Sequence, residues 1–168
     1  MNSPFANIFL ALQSRIQDQV STISYIDQDL GQLKNETRPA VTFPCVLIDF
    51  EDFNFAALSD NVQTAEGTIV LLLGFKPTSS SSSSTPIDYR EQAIGFYDIE
   101  WNLHKSLQGW SPGEDYGYLS RQSTITQKRH GFLRVREIRY RLAFQDYSTK
   151  PTVQTTTASI SIATEIDE

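Results

Sequence analysis

The first twenty residues carry apolar side chains three or four positions apart, with polar side chains between them. Ser3 followed by Pro4 is a typical helix start, because serine accepts a hydrogen bond from a free backbone amide and proline is tolerated at the first helical position. The pattern therefore predicts an amphipathic helix with one core-facing stripe. This stripe consists of Phe5, Ile8, Phe9, Leu12, Ile16 and Val20.

Two strands are predicted after this helix. Ile23, Tyr25 and Asp27 alternate until Gly31 ends the pattern, which indicates a short strand. From Cys45 to Phe53 apolar and polar residues alternate regularly, which is typical of a half-buried strand.

The next strand has a different character, because the run from Thr68 to Phe75 is almost entirely apolar. Such a run indicates a strand that is covered on both faces. A loop is expected at residues 59–61, and Gly67 is expected at a bulge or bend.

Six consecutive serines, Ser79–Ser84, follow Pro77. A segment of this composition is typical of a flexible connector and cannot contribute to a core. The segments on either side are too short for independent cores, so we interpret the serine run as a loop within one fold.

A second helix is predicted after the serine loop. Thr85 and Pro86 repeat the start signal of the first helix, and Asp88 lies where a capping-box carboxylate would lie. Gly109 fits the left-handed residue that ends a helix. The apolar stripe consists of Tyr89, Ala93, Phe96, Ile99, Leu103 and Leu107, widened by Ile94 and Trp101.

A loop over residues 110–118 separates this helix from two last strands, 119–127 and 132–147, which a turn at 128–131 would join. Residues 148–168 are rich in threonine and serine and cannot form a core. Ile160, Ile162 and Ile166 nevertheless alternate enough to add a strand to a neighbour.

The last strand contains a change of parity. Its apolar positions from Ile138 to Phe144 share one face, whereas Leu133 and Val135 fall on the other. A shift of this kind predicts a bulge at Arg136–Glu137.

These elements predict one α+β domain over residues 1–147, with a mostly antiparallel sheet of four to five strands, two packed helices and a flexible serine loop. Residues 148–168 are predicted to be a polar C-terminal arm. The length of 168 residues suits one domain. The longest apolar run, Ile69–Leu73, is far shorter than the roughly 20 residues of a membrane helix, so no membrane contact is expected.

The side chains that support catalysis are few. Cys45 is the only cysteine, so neither an internal disulfide nor a cysteine zinc cluster can form. His104 and His130 are the only histidines and have no partner at ligand spacing, which favours surface, interface or charge roles. Phosphate loops, dinucleotide fingerprints and nucleophile elbows are absent from the sequence. We therefore expect no cofactor, no metal and no catalytic residue.

Two groups of carboxylates could in principle act as acid and base. No third group is near them in the sequence to tune their proton affinity, so we interpret them as solvated. The groups are Asp49, Glu51 and Asp52 on a strand, and Glu114 with Asp115 in a loop.

The charge is distributed unevenly. The chain has a net charge of −6, yet residues 121–141 contain seven basic residues and a single acid. This basic hairpin could be a solvated face, a subunit contact or a surface exposed to nucleic acid. The acidic pI of about 4.9 argues against a dedicated sequence-specific DNA-binding protein. The candidate residues are Arg121, Lys128, Arg129, Arg134, Arg136, Arg139 and Arg141.

In the order of its elements and the pattern of its apolar residues, the chain resembles the tail terminator, or tail completion, proteins of long-tailed bacteriophages and related phage-like particles. The resemblance spans roughly residues 3–147 and contains no diagnostic motif. The segments that carry it are the helix Phe5–Val20, the strand entry Phe43-Pro44-Cys45-Val46, the helix Tyr97–Leu107 with Gly109, and the end of the last strand, Arg139–Asp146.

The resemblance implies a small structural subunit that forms a homo-oligomeric, hexameric ring without catalysis. Such a ring caps the tail tube protein, stops its polymerisation and joins the tail to the head-tail connector protein, with transient contact to passing DNA. The implied location is the virion tail or neck, after assembly in the host cytoplasm. The alternatives are a connector or tube-like virion subunit, a nucleic-acid-binding accessory domain that uses the basic hairpin, or a small enzyme.

Overall fold

The apolar segments build one five-stranded sheet with helices on one of its faces. We obtained this fold as a computed structural model that describes residues 3–33, 41–127 and 133–150. The sheet order is β1-β2-β3-β5-β4, and every neighbouring pair is antiparallel except β1 and β2. The predicted α+β fold is therefore confirmed. The elements are α1 (Pro4–Gln19), β1 (Tyr25–Gln28), β2 (Cys45–Ala57), β3 (Gln63–Phe75), α2 (Ile87–Ile94), α3 (Phe96–Leu107), β4 (Ser120–Gln127) and β5 (Arg134–Asp146).

Helix α1 forms as its sequence predicts. The side chain of Ser3 accepts a hydrogen bond from the amide of Ala6, and Pro4 occupies the first turn. Ile8, Leu12 and Ile16 are fully buried against the sheet. Burial of three large aliphatic side chains supplies several kcal/mol of favourable transfer free energy, at about 1.5–3 kcal/mol each.

The predicted second helix is divided in two, and its predicted cap is wrong. Pro86 has the extended conformation of a capping residue, so the helix begins at Ile87 and Thr85 lies one position too early to cap it. Gly95 then separates α2 from α3, because glycine is a poor helix former. The end of α3 agrees with the prediction, since Gly109 has a φ of +73°.

Strand β5 is regular, so the predicted bulge at Arg136–Glu137 is wrong. It pairs with β3 without interruption from Arg134 to Asp146. The apolar residues of β5 change from one face to the other because the sheet is covered on both faces at the end where Val135 lies. Val135 is buried with Cys45 and Leu72 on the face opposite the helices. An irregularity is present instead in β4, between Arg121 and Ser123.

The bulge expected at Gly67 lies in the strand that faces it. Two residues of β2, Asp52 and Phe53, stand opposite Gly67 of β3, and Asp52 has a φ of +54°. A side chain at position 67 would overlap the ring of Phe53 and lie 2.8 Å from its Cα atom. Gly67 is therefore required by the close approach of the bulged strand.

Two loops are held by backbone hydrogen bonds at the ends of the strands. The turn between β2 and β3 has positive φ at Asp60 and Asn61, and the amide of Val62 donates to the carbonyl of Ser59 at 2.8 Å. This geometry matches the tight turns that join twisted hairpins. The loop before β4 contacts β5, where the amide of Gly117 donates to the carbonyl of Ala143 at 2.7 Å.

Some expectations fall on residues outside the described ranges. These are the turn at 128–131 and the alternating isoleucines Ile160, Ile162 and Ile166. Within the described ranges, each helix is too short or too polar to cross a membrane.

The close approach at Gly67 gives a stability prediction. Replacing Gly67 with alanine forces Phe53 and the β2 bulge to move, so we expect the free energy of unfolding to fall by about 1–3 kcal/mol. Gly95→Ala is the matched control, because Gly95 has helical dihedral angles and an added Cβ would make only ordinary van der Waals contacts, at 3.6 and 3.7 Å from the carbonyl oxygens of Gln92 and Glu91. The control is expected to gain up to about 1 kcal/mol. Urea unfolding measures both, and equal stabilities for the two variants would contradict this account of Gly67.

Candidate assembly surfaces

The arginines of the basic hairpin are divided between the two faces of the sheet. Arg134 and Arg136 share the helix-covered face of β5 with Tyr140, whereas Arg139 and Arg141 lie on the opposite face. This division follows from the two-residue alternation of a regular strand. The four arginines of β5 therefore do not form one continuous basic patch.

Arg136 is part of a partly buried ion pair with α3. Glu100 lies one turn before Leu103 on the core side of α3, so its carboxylate faces the sheet. The Arg136 guanidinium donates from Nε and Nη2 to the two Glu100 oxygens, at 2.8 and 3.0 Å. It also donates to Thr126, and the hydrogen bonds to Glu100 raise the pKa of Arg136. This ion pair links α3 to strand β5 of the sheet.

Arg139 and Arg141 bind carboxylates on the face of the sheet opposite the helices. Arg139 contacts Glu137 at 2.6 Å and Glu51 of β2 at 2.9 Å, and the hydrogen bond to Glu137 raises the pKa of Arg139. Arg141 pairs with Glu66 of β3. The contacts with Glu51 and Glu66 join different strands, and they pair two of the four arginines of β5 with acids.

Arg134 has an aromatic partner rather than an acidic one. Its guanidinium carbon lies 4.1 Å from the centre of the Phe96 ring, and Nη2 donates to the Tyr97 hydroxyl at 3.0 Å. Its Nε atom is buried without a hydrogen bond among the described residues. Arg121 has no ion pair within the described ranges, and Lys128 and Arg129 lie outside them.

His104 and Cys45, two titratable groups singled out in the sequence, lie on opposite faces of the sheet. The His104 Nδ1 atom is 3.2 Å from the Tyr140 hydroxyl, and partial burial together with nearby Arg121 lowers the pKa of His104. Burial raises the pKa of Tyr140 to about 12 and that of Cys45 to about 11. Both groups therefore keep their protons at neutral pH.

The two carboxylate groups do not converge. Glu51 is bound by Arg139, and Asp49 accepts a hydrogen bond from the amide of Phe50 at 2.8 Å. Glu114 and Asp115 line a surface depression that contains no basic residue among its lining side chains. Across the described part of the chain, no three His, Cys, Asp or Glu residues are grouped so that they could hold a metal ion.

A row of large apolar side chains on α2 and α3 is exposed to solvent. Helix α2 buries none of its residues, and Trp101 on α3 is 56% exposed. Ile87 and Ile94 are seven positions apart in α2, so they share one side of that helix, and Tyr97 and Trp101 are four positions apart in α3, on the side away from the buried Leu103 and Leu107. We call this surface the helical patch; it consists of Ile87, Ile94, Tyr97 and Trp101.

The expectation that Ile94 and Trp101 widen the core-facing stripe is therefore wrong, and Tyr89 of that stripe is also exposed. The sequence contains a signal for this result. Apolar residues occur on both sides of the α2–α3 segment, whereas a helix that covers a sheet needs only one apolar stripe.

The hairpin formed by β2 and β3 carries a second exposed apolar surface. Phe55 and Leu58 are 48% and 58% exposed, and Asp60 lies in the turn beside them. From Cys45 to Phe75 the chain has five acidic residues and no basic one. We call Phe55, Leu58 and Asp60 the hairpin tip.

The helical patch and the hairpin tip lie at opposite ends of β3. The ring of Phe75, at one end of this strand, is 5.3 Å from the ring of Phe96 at the start of α3. The turn with Asp60 precedes Gln63 at the other end. A 13-residue strand spans about 40 Å, so Tyr97 at one end of β3 and Asp60 beyond the other end cannot contact each other within one chain.

Comparison with known proteins gives little further information. No family model and no curated protein matches the chain. Among solved structures, a chain from the virion of a native gene transfer agent particle matches with a TM-score of 0.44 and 12% identity. The match covers 85% of this chain and 95% of that one. At this level of similarity it carries no argument about function.

The ion pair of Arg136 with Glu100 gives a second stability prediction. Arg136→Ala leaves the Glu100 carboxylate largely buried without a partner, so we expect a loss of about 3–5 kcal/mol. Arg141→Ala is the control, because its pair with Glu66 is about half exposed, and a loss below about 1 kcal/mol is expected. Urea unfolding distinguishes the two, and a small loss for Arg136→Ala would show that α3 is held by other contacts.

The buried cysteine gives a chemical prediction. Cys45 is fully buried and its pKa is about 11, so at pH 8 the folded protein presents almost no reactive thiolate. A thiol reagent such as DTNB should modify the native chain far more slowly than the urea-unfolded chain. Fast modification of the native chain, with its one cysteine as the only target, would contradict the burial.

Proposed function

We propose that this chain is a structural virion protein of the tail terminator type. In this role it forms a hexameric ring that caps the phage tail tube, stops its polymerisation and joins the tail to the head connector. The proposal combines the resemblance in sequence with one structural observation, the helical patch. Residues 1–147 act as the ring subunit, and residues 148–168 are a polar extension.

The helical patch supports a role in assembly because α2 is not needed to cover the core. The helix-covered face of the sheet already receives α1 and α3, while α2 buries no residue. Large apolar side chains grouped on a surface are typical of a protein interface. Aromatic residues such as Tyr97 and Trp101 are especially frequent at the centres of interfaces.

The proposed role requires no bond-making chemistry, and the state of the polar groups agrees with it. The carboxylates of Glu51, Glu100 and Glu137 bind arginines of the same chain. Cys45 is buried, and His104 contacts the hydroxyl of Tyr140. These groups serve folding in the proposal, and none of them acts on a substrate.

The basic hairpin contributes to subunit or channel contacts in this proposal. Arg136, Arg139 and Arg141 already bind acids of their own chain, so they are the least available. Arg121, Lys128, Arg129 and Arg134 are the candidates for the remaining contacts. A few basic side chains near a channel allow DNA to pass, whereas a dense phosphate-binding groove would retain it.

Particle morphology tests the function. Cells that produce the particles without this chain are expected to make overlong tails or tails without heads, and the purified chain should restore normal joining. Electron microscopy measures tail length and head attachment. Particles of normal length with heads attached would contradict the proposal, and normal tails without heads would indicate a connector subunit instead.

A DNA-binding measurement tests the competing class of function. Strong, salt-dependent binding of duplex DNA by the purified chain, lost in Arg121→Ala, would favour a nucleic-acid-binding domain. The tail terminator proposal expects weak binding that this substitution changes little. Arg141→Ala is the matched control, because Arg141 is exposed yet paired with Glu66.

A further inference from the structure

Two arginines at the helical patch lack an acidic partner. Arg90 lies three residues after Ile87 and four before Ile94, so it shares their side of α2. Arg90 and Arg134 both have a buried Nε atom without a hydrogen bond, and neither forms an ion pair among the described residues. Buried guanidinium nitrogens normally have a hydrogen-bond acceptor. The patch therefore combines apolar area with two guanidinium groups that have no ion pair among the described residues, and an acidic partner could bind N–H groups other than the buried Nε.

The hairpin tip has the complementary composition. It presents Phe55 and Leu58 as apolar groups and Asp60 as an exposed carboxylate, and all charged residues of the surrounding hairpin are acidic. Asp60 forms no ion pair among the described residues. Its place in a tight turn makes this carboxylate the outermost charge of the β2–β3 hairpin.

These two surfaces cannot meet within one chain. The patch extends from Tyr97, near the Phe75 end of β3, to Trp101 beside His104, whereas the hairpin tip lies beyond Gln63 at the other end of this 13-residue strand. A contact between them therefore joins two copies, and it uses a different surface on each copy. Contacts of this head-to-tail kind close into rings when the rotation between copies permits.

We propose that the hairpin tip of one copy docks on the helical patch of the next copy. Phe55 and Leu58 pack against Ile94, Tyr97 and Trp101, and the Asp60 carboxylate binds the guanidinium groups of Arg90 and Arg134. This contact is the repeating interface of the ring, and so it rests on the proposed function. It commits the helical patch to a second copy of this chain rather than to the tail tube or the connector.

The test uses one variant for each surface of the full-length chain. The tip variant combines Phe55→Ser and Leu58→Ser, and the patch variant combines Ile94→Ser and Trp101→Ser. All four side chains are exposed, so both variants are expected to fold, and circular dichroism and thermal unfolding test this expectation. Ile125→Ser, at an equally exposed residue of β4, is the matched control.

Association is measured by light scattering and native mass spectrometry, with purified tail tubes added to start ring formation. Wild type and the Ile125→Ser control are expected to form rings. The tip and patch variants should each associate at least about tenfold more weakly, as expected when the central side chains of an interface are removed. Asp60→Asn, which keeps a residue suited to the turn, should weaken association and reduce its salt dependence.

Mixing the two variants gives the most specific result. The tip variant keeps its helical patch, and the patch variant keeps its hairpin tip. These two intact surfaces can form one contact, so we expect a complex of two copies, one of each variant, and no ring. Rings formed by either variant alone would overturn the proposed contact. Loss of tube binding with rings retained would assign the patch to the tube protein and would overturn it as well.

The outcome for wild type separates this inference from the proposed function. If wild type and both variants all form rings that cap tubes, the contact is wrong while the function stands. If wild type neither forms rings nor binds tubes, the proposed function itself fails.

Discussion

The burial of β3 on both faces is the constraint on which the rest of the structure depends. Its apolar run from Ile69 to Phe75 pairs with β2 and β5, and it must be shielded from water above and below the sheet. Helices α1 and α3 cover one face, and the segments around Leu33 and Phe43 cover one end of the other. Because the helix-covered face is then filled, α2 has no core to join, and its apolar residues remain at the surface.

The same sheet determines which arginines pair with which acidic residues. A basic hairpin on an acidic chain resembles an electrostatic patch when only the sequence is considered. In the folded sheet, Arg139 contacts Glu137 of its own strand and Glu51 of β2, and Arg141 contacts Glu66 of β3. Arg136 contacts Glu100 of α3. Partial burial makes the Arg136 pair important for structure, since either charge alone would be costly there. Three of the seven basic residues are thus paired with acids from other elements of the fold.

The length of β3 also gives the molecule two different ends. One end carries the acidic hairpin with Phe55 and Leu58, and the other carries exposed Tyr97 beside Arg134. A subunit with unlike ends is suited to head-to-tail association, which the proposed ring requires. The sheet that stabilises the fold therefore also separates the two surfaces to which we assign assembly.

The sequence by itself determined the elements whose patterns are local: the capped helix α1, the doubly covered strand β3, and Gly109 at the end of α3. The tertiary structure alone decided which residues meet across the chain. Arg136 and Glu100 are 36 positions apart, and the parity of Val135 is explained only by a second core that includes Cys45. Likewise, the apolar residues of α2 satisfy a helical pattern whether they are buried or exposed. Periodicity records which side chains share a face, whereas burial depends on how many other elements compete to cover the sheet.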